Sequence, residues 1–491
     1  TAEMYEGKPV LLCEYAHSME NSLGNFADYM ADFEKYDNMC GGFIWEWCDH
    51  AVLSASDDGL RYLYGGDFGD EPNDGNFCVD GMVFPDRVPH TGLLEYKQVI
   101  RPVRLVEFDA EARRFVFENM RDFLSPADDL TLSCRLQSED GETEFCRLRG
   151  EAIDIPPHAR RALGIEFQQP GEGFAALVFR WFDARGTEVG FDQAILRTHA
   201  ASPKPMLGRG AVYEDDLELS AASGRVRAVW SKSDGRLLRL SIDGKTAAED
   251  AALNIWRAPT DNDMYIRREW EAAGYDRAIP RLKEYRAEQR RGIFQLRCRI
   301  SLGAVSLQNI LEAEMTWRLS AGGALDVSIR AVRNTDMPWL PRFGLRFFLP
   351  AAVDGAEYFG YGPHESYVDK HRASMPGRYR FAAEEGIEPY IKPQESGSHW
   401  GCSELKLSGS SESVRIYAAK PFSFSFCRYT QEELTTKRHR HELVPCGRNV
   451  LCLDIAHSGL GSNSCPSLAR KYRVSAGKLS GSFRLEFGHE G

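Results

Sequence analysis

Val10-Leu11-Leu12-Cys13 is a short unbroken apolar run, the pattern of a strand buried on both faces. After it, Asn21 to Tyr36 places Phe26, Met30, Phe33 and Tyr36 at three- and four-residue steps, which predicts a helix with one apolar stripe. Gly41-Gly42 ends that helix, and Phe43-Ile44-Trp45 opens a second buried strand. Strand, helix, strand within about 40 residues is a βαβ unit, and hence part of a parallel sheet or barrel.

From about residue 101 the pattern changes to short alternating segments between turn clusters. Arg114 to Phe117, Leu130 to Leu132, Ala175 to Phe179 and Phe191 to Leu196 are examples, and together they predict an antiparallel Ig-like β-sandwich over 101–200. Ala200 to Pro205 reads as a linker. Alternation resumes over 206–488. Leu238 to Ile242 runs into Asp243-Gly244, a hairpin turn pair. In Phe422-Ser423-Phe424-Ser425-Phe426 every aromatic falls on one face. A single helix is expected near Met264 to Gly274. This much β structure predicts a large two-sheet sandwich of many strands.

Of the 491 residues, 43% are hydrophobic and 27% charged, which excludes a disordered chain. At ~150 residues per domain the length implies about three domains. Lys and Arg number 60 and Asp and Glu 72, a net charge of −12. Such a chain repels phosphate backbones and anionic lipid, so no nucleic-acid or membrane partner is expected. No apolar run approaches the ~20 residues of a membrane helix. The 12 cysteines are scattered, with no CxxC pair, so a zinc ribbon is not expected. Many lie inside apolar runs, as small hydrophobes do, a usage that predicts a reducing, cytoplasmic setting. The chain begins at Thr1 and enters a strand within 15 residues, which reads as a section from inside a longer polypeptide.

In parallel α/β units chemistry collects beyond the C-terminal ends of strands. The first strand runs into Cys13-Glu14-Tyr15-Ala16-His17. A carboxylate there is expensive unless it is paired or used, so Glu14 is either hydrogen-bonded to a neighbouring strand or chemically active. The second runs into Trp45-Glu46-Trp47-Cys48-Asp49-His50, where the two indoles are either core residues or a platform for a pyranose face. Gly65 to Gly81 is dense in Gly, Asp and Asn; its oxygens suit a hard cation but serve equally as a series of turns. His439 and His441 are expected on one strand face. Without a third ligand at a recognisable spacing they read as a surface pair. GxGxxG, P-loop, HExxH and GxSxG motifs are absent.

Leu12-Cys13-Glu14-Tyr15-Ala16-His17-Ser18-Met19-Glu20-Asn21-Ser22 closely resembles the active-site segment of the glycoside hydrolase family 2 β-galactosidases, with Glu20 where that family usually has Gly. Gly42 to Trp47, Tyr64 to Asp70, Phe77 to Gly81, Arg257 to Asp263, Gly360 to Tyr367 and Gly459 to Cys465 follow in the family order. The resemblance runs along the whole chain.

It implies a multidomain, mainly β protein. Residues 1–100 would be the C-terminal part of a (β/α)8 TIM barrel, 101–200 an Ig-like β-sandwich, and 206–488 a β-supersandwich of the galactose mutarotase-like kind. A complete barrel needs ~250 residues, so the earlier strands and two N-terminal domains would lie in a missing N-terminal half. The implied reaction is retaining hydrolysis of terminal β-galactosides such as lactose by two carboxylates ~5–5.5 Å apart. The resemblance makes Glu14 the nucleophile and His17 a contact to galactose hydroxyls. It makes Trp45 the surface against which the sugar packs. The Phe77 carbonyl and Asp80 fall near a bound sodium, with Asp80 replacing the Asn of the best-known member. Cys465 falls on the aglycone side, where some members carry Trp. The acid/base Glu and the main Mg2+ ligands would lie in the missing half, so this chain alone is expected to be inactive. Glu46 and Asp49 are read as carboxylates that support the fold, and a homo-oligomer is expected. Two alternatives remain: a family 2 enzyme for another sugar, such as a β-glucuronidase or β-mannosidase, or a non-catalytic carbohydrate-binding or assembly module.

Overall fold

The computed structural model describes residues 5, 7–56, 59–198, 210–290, 293–320, 323–409, 412–462 and 468–489. Strand β1 (Val10–His17) pairs in parallel with β2 (Met39–Trp45), and helix α1 (Phe26–Lys35) makes the crossover. This is the expected βαβ unit with three corrections, the first being that the helix ends at Lys35 and Gly41-Gly42 lie inside β2 rather than ahead of it. The helix starts at Phe26 rather than Asn21, because Asn25 adopts the left-handed conformation (φ 54) and residues 21–25 turn instead to meet the last segment. Nor are the strands buried on both faces: Leu11 is 56% and Phe43 62% exposed. Among the described residues each strand has the other as its single neighbour. Two parallel strands do not bury their own apolar faces, and Leu11 and Phe43 are left without cover.

Residues 103–197 form two antiparallel sheets. One holds Val103–Asp109, Arg114–Asn119 and Arg160–Gly164; the other runs in the order Glu188–Arg197, Ala175–Phe182, Thr131–Ser138, Gly141–Leu148. Phe115, Phe117, Phe179 and Trp181 fill the space between them. The Ala200–Pro205 linker lies outside the described residues.

From Gly210 onward the described strands join one 16-stranded sheet that folds back on itself. Its two ends approach each other, with Tyr285 Oη donating to Glu214 Oε1 at 2.8 Å. Trp230, Trp317 and Phe294 pack in the core between the layers. Asp243 (φ 48) and Gly244 (φ 79) turn the predicted hairpin, both in the left-handed region that a two-residue turn of this type needs. Phe422, Phe424 and Phe426 are buried as their alternation predicted. The expected helix spans Met264–Ala272.

The first hundred residues are clamped to this sheet by buried polar contacts. Lys370 Nζ meets Glu365 Oε1 at 2.9 Å and Asn21 Oδ1 at 2.9 Å. Tyr390 and Thr91 donate to the same Glu365 oxygen, and Asn21 Nδ2 donates to the Glu395 carbonyl at 2.6 Å. Helix α2 (Thr91–Val99) adds Glu95, whose Oε2 accepts the Ala373 N–H at 2.8 Å. Burial lifts the Glu95 carboxyl to about 7, against the pull of the Ala373 N–H and of Lys370. A carboxyl raised in the folded state contributes stability that is complete below its ordinary value of 4.5 and is lost as pH rises through about 7. The gap corresponds to roughly 3 kcal/mol. Denaturant midpoints measured from pH 5 to 8 should therefore fall less steeply in Glu95→Gln than in the parent. Equal slopes would show that Glu95 does not bind this proton.

Candidate active site

The C-terminal ends of β1 and β2 bring together the residues singled out in the sequence. His17 and Trp45 are register partners, so their side chains emerge side by side. Trp45 Nε1 donates to Asp80 Oδ2 at 3.0 Å, and His17 Nε2 lies 3.4 Å from the same oxygen. Phe77 stacks on the His17 ring with centroids 5.5 Å apart. Burial depresses the His17 imidazole, against the opposing field of Glu14, Asp261 and Glu46, so it is neutral at pH 7. Burial, with the Glu46 carboxylate beside it, pushes Asp80 up to about 6 although Trp45 donates to it. Asp80 Oδ1 and His17 Nδ1 are buried and have no hydrogen-bond partner among the described residues.

Glu14, His17, Trp45 and Phe77 line one cleft of about 930 Å³. Its opposite wall comes from the last segment: Asn262, Met264, Tyr265, Trp339 and Leu460 to Ser462. Two sequence motifs hold that wall. Buried Arg257 pairs with Asp263 at 2.7 Å and donates to the Ser458 and Gly459 carbonyls. Asn262 Nδ2 donates to the Leu460 and Gly461 carbonyls. The buried Asp369 carboxylate accepts the N–H groups of Leu460 and Gly461, and its carbonyl accepts that of Asn25. A Cβ at Gly24 would stand 2.3 Å from Asp369 Oδ2 and one at Gly459 2.5 Å from its Cγ, so neither position admits a side chain without movement. Ser462 in turn accepts the His17 N–H at 2.9 Å, which closes the seam beside the cleft.

Glu14 is exposed at the cleft rather than tied to a strand. Trp45 and Trp47 are 48% and 57% exposed, so the core reading of these indoles is overturned. Phe77 sits in the 3₁₀ turn Gly75–Cys78 and is 55% exposed. Asp80 lies behind Trp45 and His17. Cys465 lies outside the described residues. Asp49 is buried, accepts the Gly81 N–H at 2.8 Å and pairs with His90 at 3.0 Å, as a carboxylate supporting the fold would. In the Gly65–Gly81 loop, Asp67 and Asp70 are engaged as turn acceptors, from Tyr64 N–H and Gly66 N–H. The expectation for His439 and His441 is corrected: they belong to a 3₁₀ turn, Arg440–Glu442, not a strand, with His439 at its N-cap and His441 inside it, and His439 is buried at 4% exposure.

Sequence reasoning missed Tyr265, Met264 and Trp339 as cleft residues. The sequence showed only that Met264 and Tyr265 open the predicted helix; the structure leaves them 44% and 69% exposed. Only the fold shows that they face Glu14.

Residues 2–105 match the family described as "Glycosyl hydrolases family 2, TIM barrel domain", and residues 222–486 match "Beta galactosidase small chain". A β-galactosidase of Actinobacillus pleuropneumoniae is 39% identical over 98% of this chain and 47% of its own length. One of Staphylococcus xylosus is 32% identical over 98% of this chain and 49% of its own, and one of Arthrobacter sp. strain B7 30% over 93% and 48%. Among solved structures, a GalM/aldose epimerase homologue from C. elegans overlaps 57% of this chain and all of its own, at 9% identity and a TM-score of 0.30. The chain spans about half the length of the curated relatives it matches. With both matched families in chain order and 98% of this chain aligned to the first of these relatives, the chain belongs to the glycoside hydrolase family 2 β-galactosidases.

Proposed function

We propose that this chain supplies the nucleophile and one wall of the site in a retaining β-galactosidase acting on β-galactosides such as lactose. The observation that carries the reading is the convergence of Glu14, His17, Trp45 and Phe77 on one cleft. The Glu14 carboxylate attacks the anomeric carbon while the bond from that carbon to the leaving oxygen breaks. A carboxylic acid ~5–5.5 Å away protonates the leaving oxygen and then deprotonates the water that cleaves the galactosyl ester. That second carboxylate is expected from the remainder of the barrel, which is also the partner that would cover Leu11 and Phe43. Trp45 offers an apolar face to the sugar, and the neutral His17 imidazole lines the cleft beside it, where it fits a contact to a galactose hydroxyl.

For a sodium ion the donor set fits: Asp80 presents a buried oxygen without a partner, and the Phe77 carbonyl would join it. Such an ion would hold the galactose 6-hydroxyl. Ligands for Mg2+ are expected outside this chain. An oligomer and a cytoplasmic setting belong to the same reading; every described cysteine is unpaired, and no helix of the described residues is long and apolar enough to cross a membrane.

A panel of nitrophenyl glycosides, given to a protein that carries this chain with its barrel completed, tests the reading. The β-galactoside should turn over fastest. Faster β-glucuronide or β-mannoside turnover would transfer the reading to those sugars, and sugar binding without turnover would leave a binding module. Tyr265 should govern the aglycone side. Tyr265→Ala should weaken glucose as a competing acceptor about fivefold to tenfold, the worth of one stacked ring. Hydrolysis of methyl β-galactoside should change less than twofold. Equal acceptor affinities in both proteins would remove Tyr265 from the site.

A further inference from the structure

His439, His441 and Glu442 lie far from the cleft in sequence and take no part in the chemistry above. Their ligand atoms all fall within 4.8 Å of one another. His439 Nδ1 is 3.3 Å from Glu442 Oε1. Two ligands held ~2.0–2.1 Å from one zinc ion at a tetrahedral angle stand about 3.3 Å apart. The other nitrogen, Nε2, meets Asp67 Oδ2 at 2.7 Å. Both ring nitrogens thus face a carboxylate oxygen; with Nε2–H donating to Asp67, Nδ1 carries the lone pair toward Glu442 Oε1, the arrangement of carboxylate–histidine–metal triads. The ring is also held by stacking on Tyr64, with centroids 4.5 Å apart.

Glu442 is placed with similar economy. Its Oε2 accepts the N–H groups of Arg438 and His439, which fixes the carboxylate at the turn and leaves Oε1 toward His439. The His441 ring is 5.1 Å from that of His439 by centroids and is exposed, so it can rotate without disturbing the core. Arg438 stands 3.5 Å from Asp67 and balances its charge. Glu442 is then the carboxylate that accompanies two imidazoles. Two imidazoles and one carboxylate with an open solvent position is a donor set for a borderline divalent transition metal rather than for Mg2+ or Ca2+.

We propose that His439, His441 and Glu442 form a zinc-class divalent metal site that clips the Asp67 loop of the barrel segment to the last segment. It is independent of the glycosidase reading. Isothermal titration of ZnCl2 into the untagged full chain is the test, with His441→Ala/Glu442→Gln as the comparison. His441 is exposed and the Gln amide oxygen still accepts the Arg438 and His439 N–H groups, so the double variant retains the fold, which its circular dichroism checks. The cysteines are common to both proteins and cancel. The parent should bind one more Zn2+ than the double variant. Asp67→Asn should bind the same number with ~10–100-fold weaker affinity at that site. Equal stoichiometry in parent and double variant would overturn the proposal, and so would the absence of any binding by the parent. Cobalt substitution gives a second readout: visible bands of a tetrahedral or five-coordinate site should be stronger in the parent than in the double variant, and identical spectra would count against the site.

Discussion

Glu14→Gln, in a protein that carries this chain with its barrel completed, should lower kcat on a nitrophenyl β-galactoside by about 10⁴–10⁶-fold, the range seen when a nucleophile is removed. The amide has the shape of the carboxylate but neither its charge nor its nucleophilicity. The site around it stays: His17 remains beside Asp80, Trp45 remains on its register partner, and the seam of Asp369 with Leu460 and Gly461 is untouched. Glu14 takes no part in the Trp45–Asp80 or Asp369 contacts that hold the site together, so little loss of stability is expected. Kinetics and thermal midpoint must therefore separate, with turnover lost and stability kept. Mass spectrometry of the parent reacted with a slow 2-deoxy-2-fluoro galactoside should place the sugar on the Glu14 peptide. A variant retaining a tenth of the parental kcat, or a sugar adduct on another carboxylate, would remove Glu14 from the nucleophile role.

The second large effect concerns the chain by itself. The 491 residues alone should give no measurable turnover, and adding a separate polypeptide with the remaining barrel strands should restore it. General acid assistance contributes ~10²–10⁴-fold, and the chain also leaves the cleft open on the side of β1. The exposed Leu11 and Phe43 describe the surface that such a polypeptide must cover. Replacing both with Asp should therefore block restoration while leaving the 16-stranded sheet intact, as read by its own unfolding transition. Robust turnover by the chain alone, abolished by Glu14→Gln, would show that an acid is supplied from within. Glu46, which stands beside Asp80, would then be the first residue to examine.

How far the sequence reached can be judged residue by residue. The βαβ start was legible because an apolar strand run and an amphipathic stripe each leave a local mark, whereas Gly41-Gly42, read as the end of the helix, lies inside β2. The hairpin at Asp243-Gly244 was legible because two consecutive left-handed residues require that chemistry. The start of α1 was misread: the Asn25 conformation and the Asn21 contacts depend on Lys370, Tyr367 and Glu395, more than 340 residues away. His439 and His441 were misplaced for a related reason. A short polar segment has no periodicity to separate a strand from a 3₁₀ turn, and their partner Asp67 lies 372 residues distant.

The sequence by itself determined the family, through long ordered motifs, and the order of the elements, because both are written in local composition and spacing. It also named Glu14, His17, Trp45, Phe77 and Asp80 as a group. Only the tertiary structure decided what those residues face. The second wall of the cleft, with Tyr265 and Trp339, and the Asp369 seam are built from segments hundreds of residues apart, and no spacing rule encodes a contact made by folding one sheet back against two strands. The same limit applies to His439: its contact with Glu442 is local to the turn, but its partner Asp67, 372 residues away, is supplied only by packing against the barrel loop.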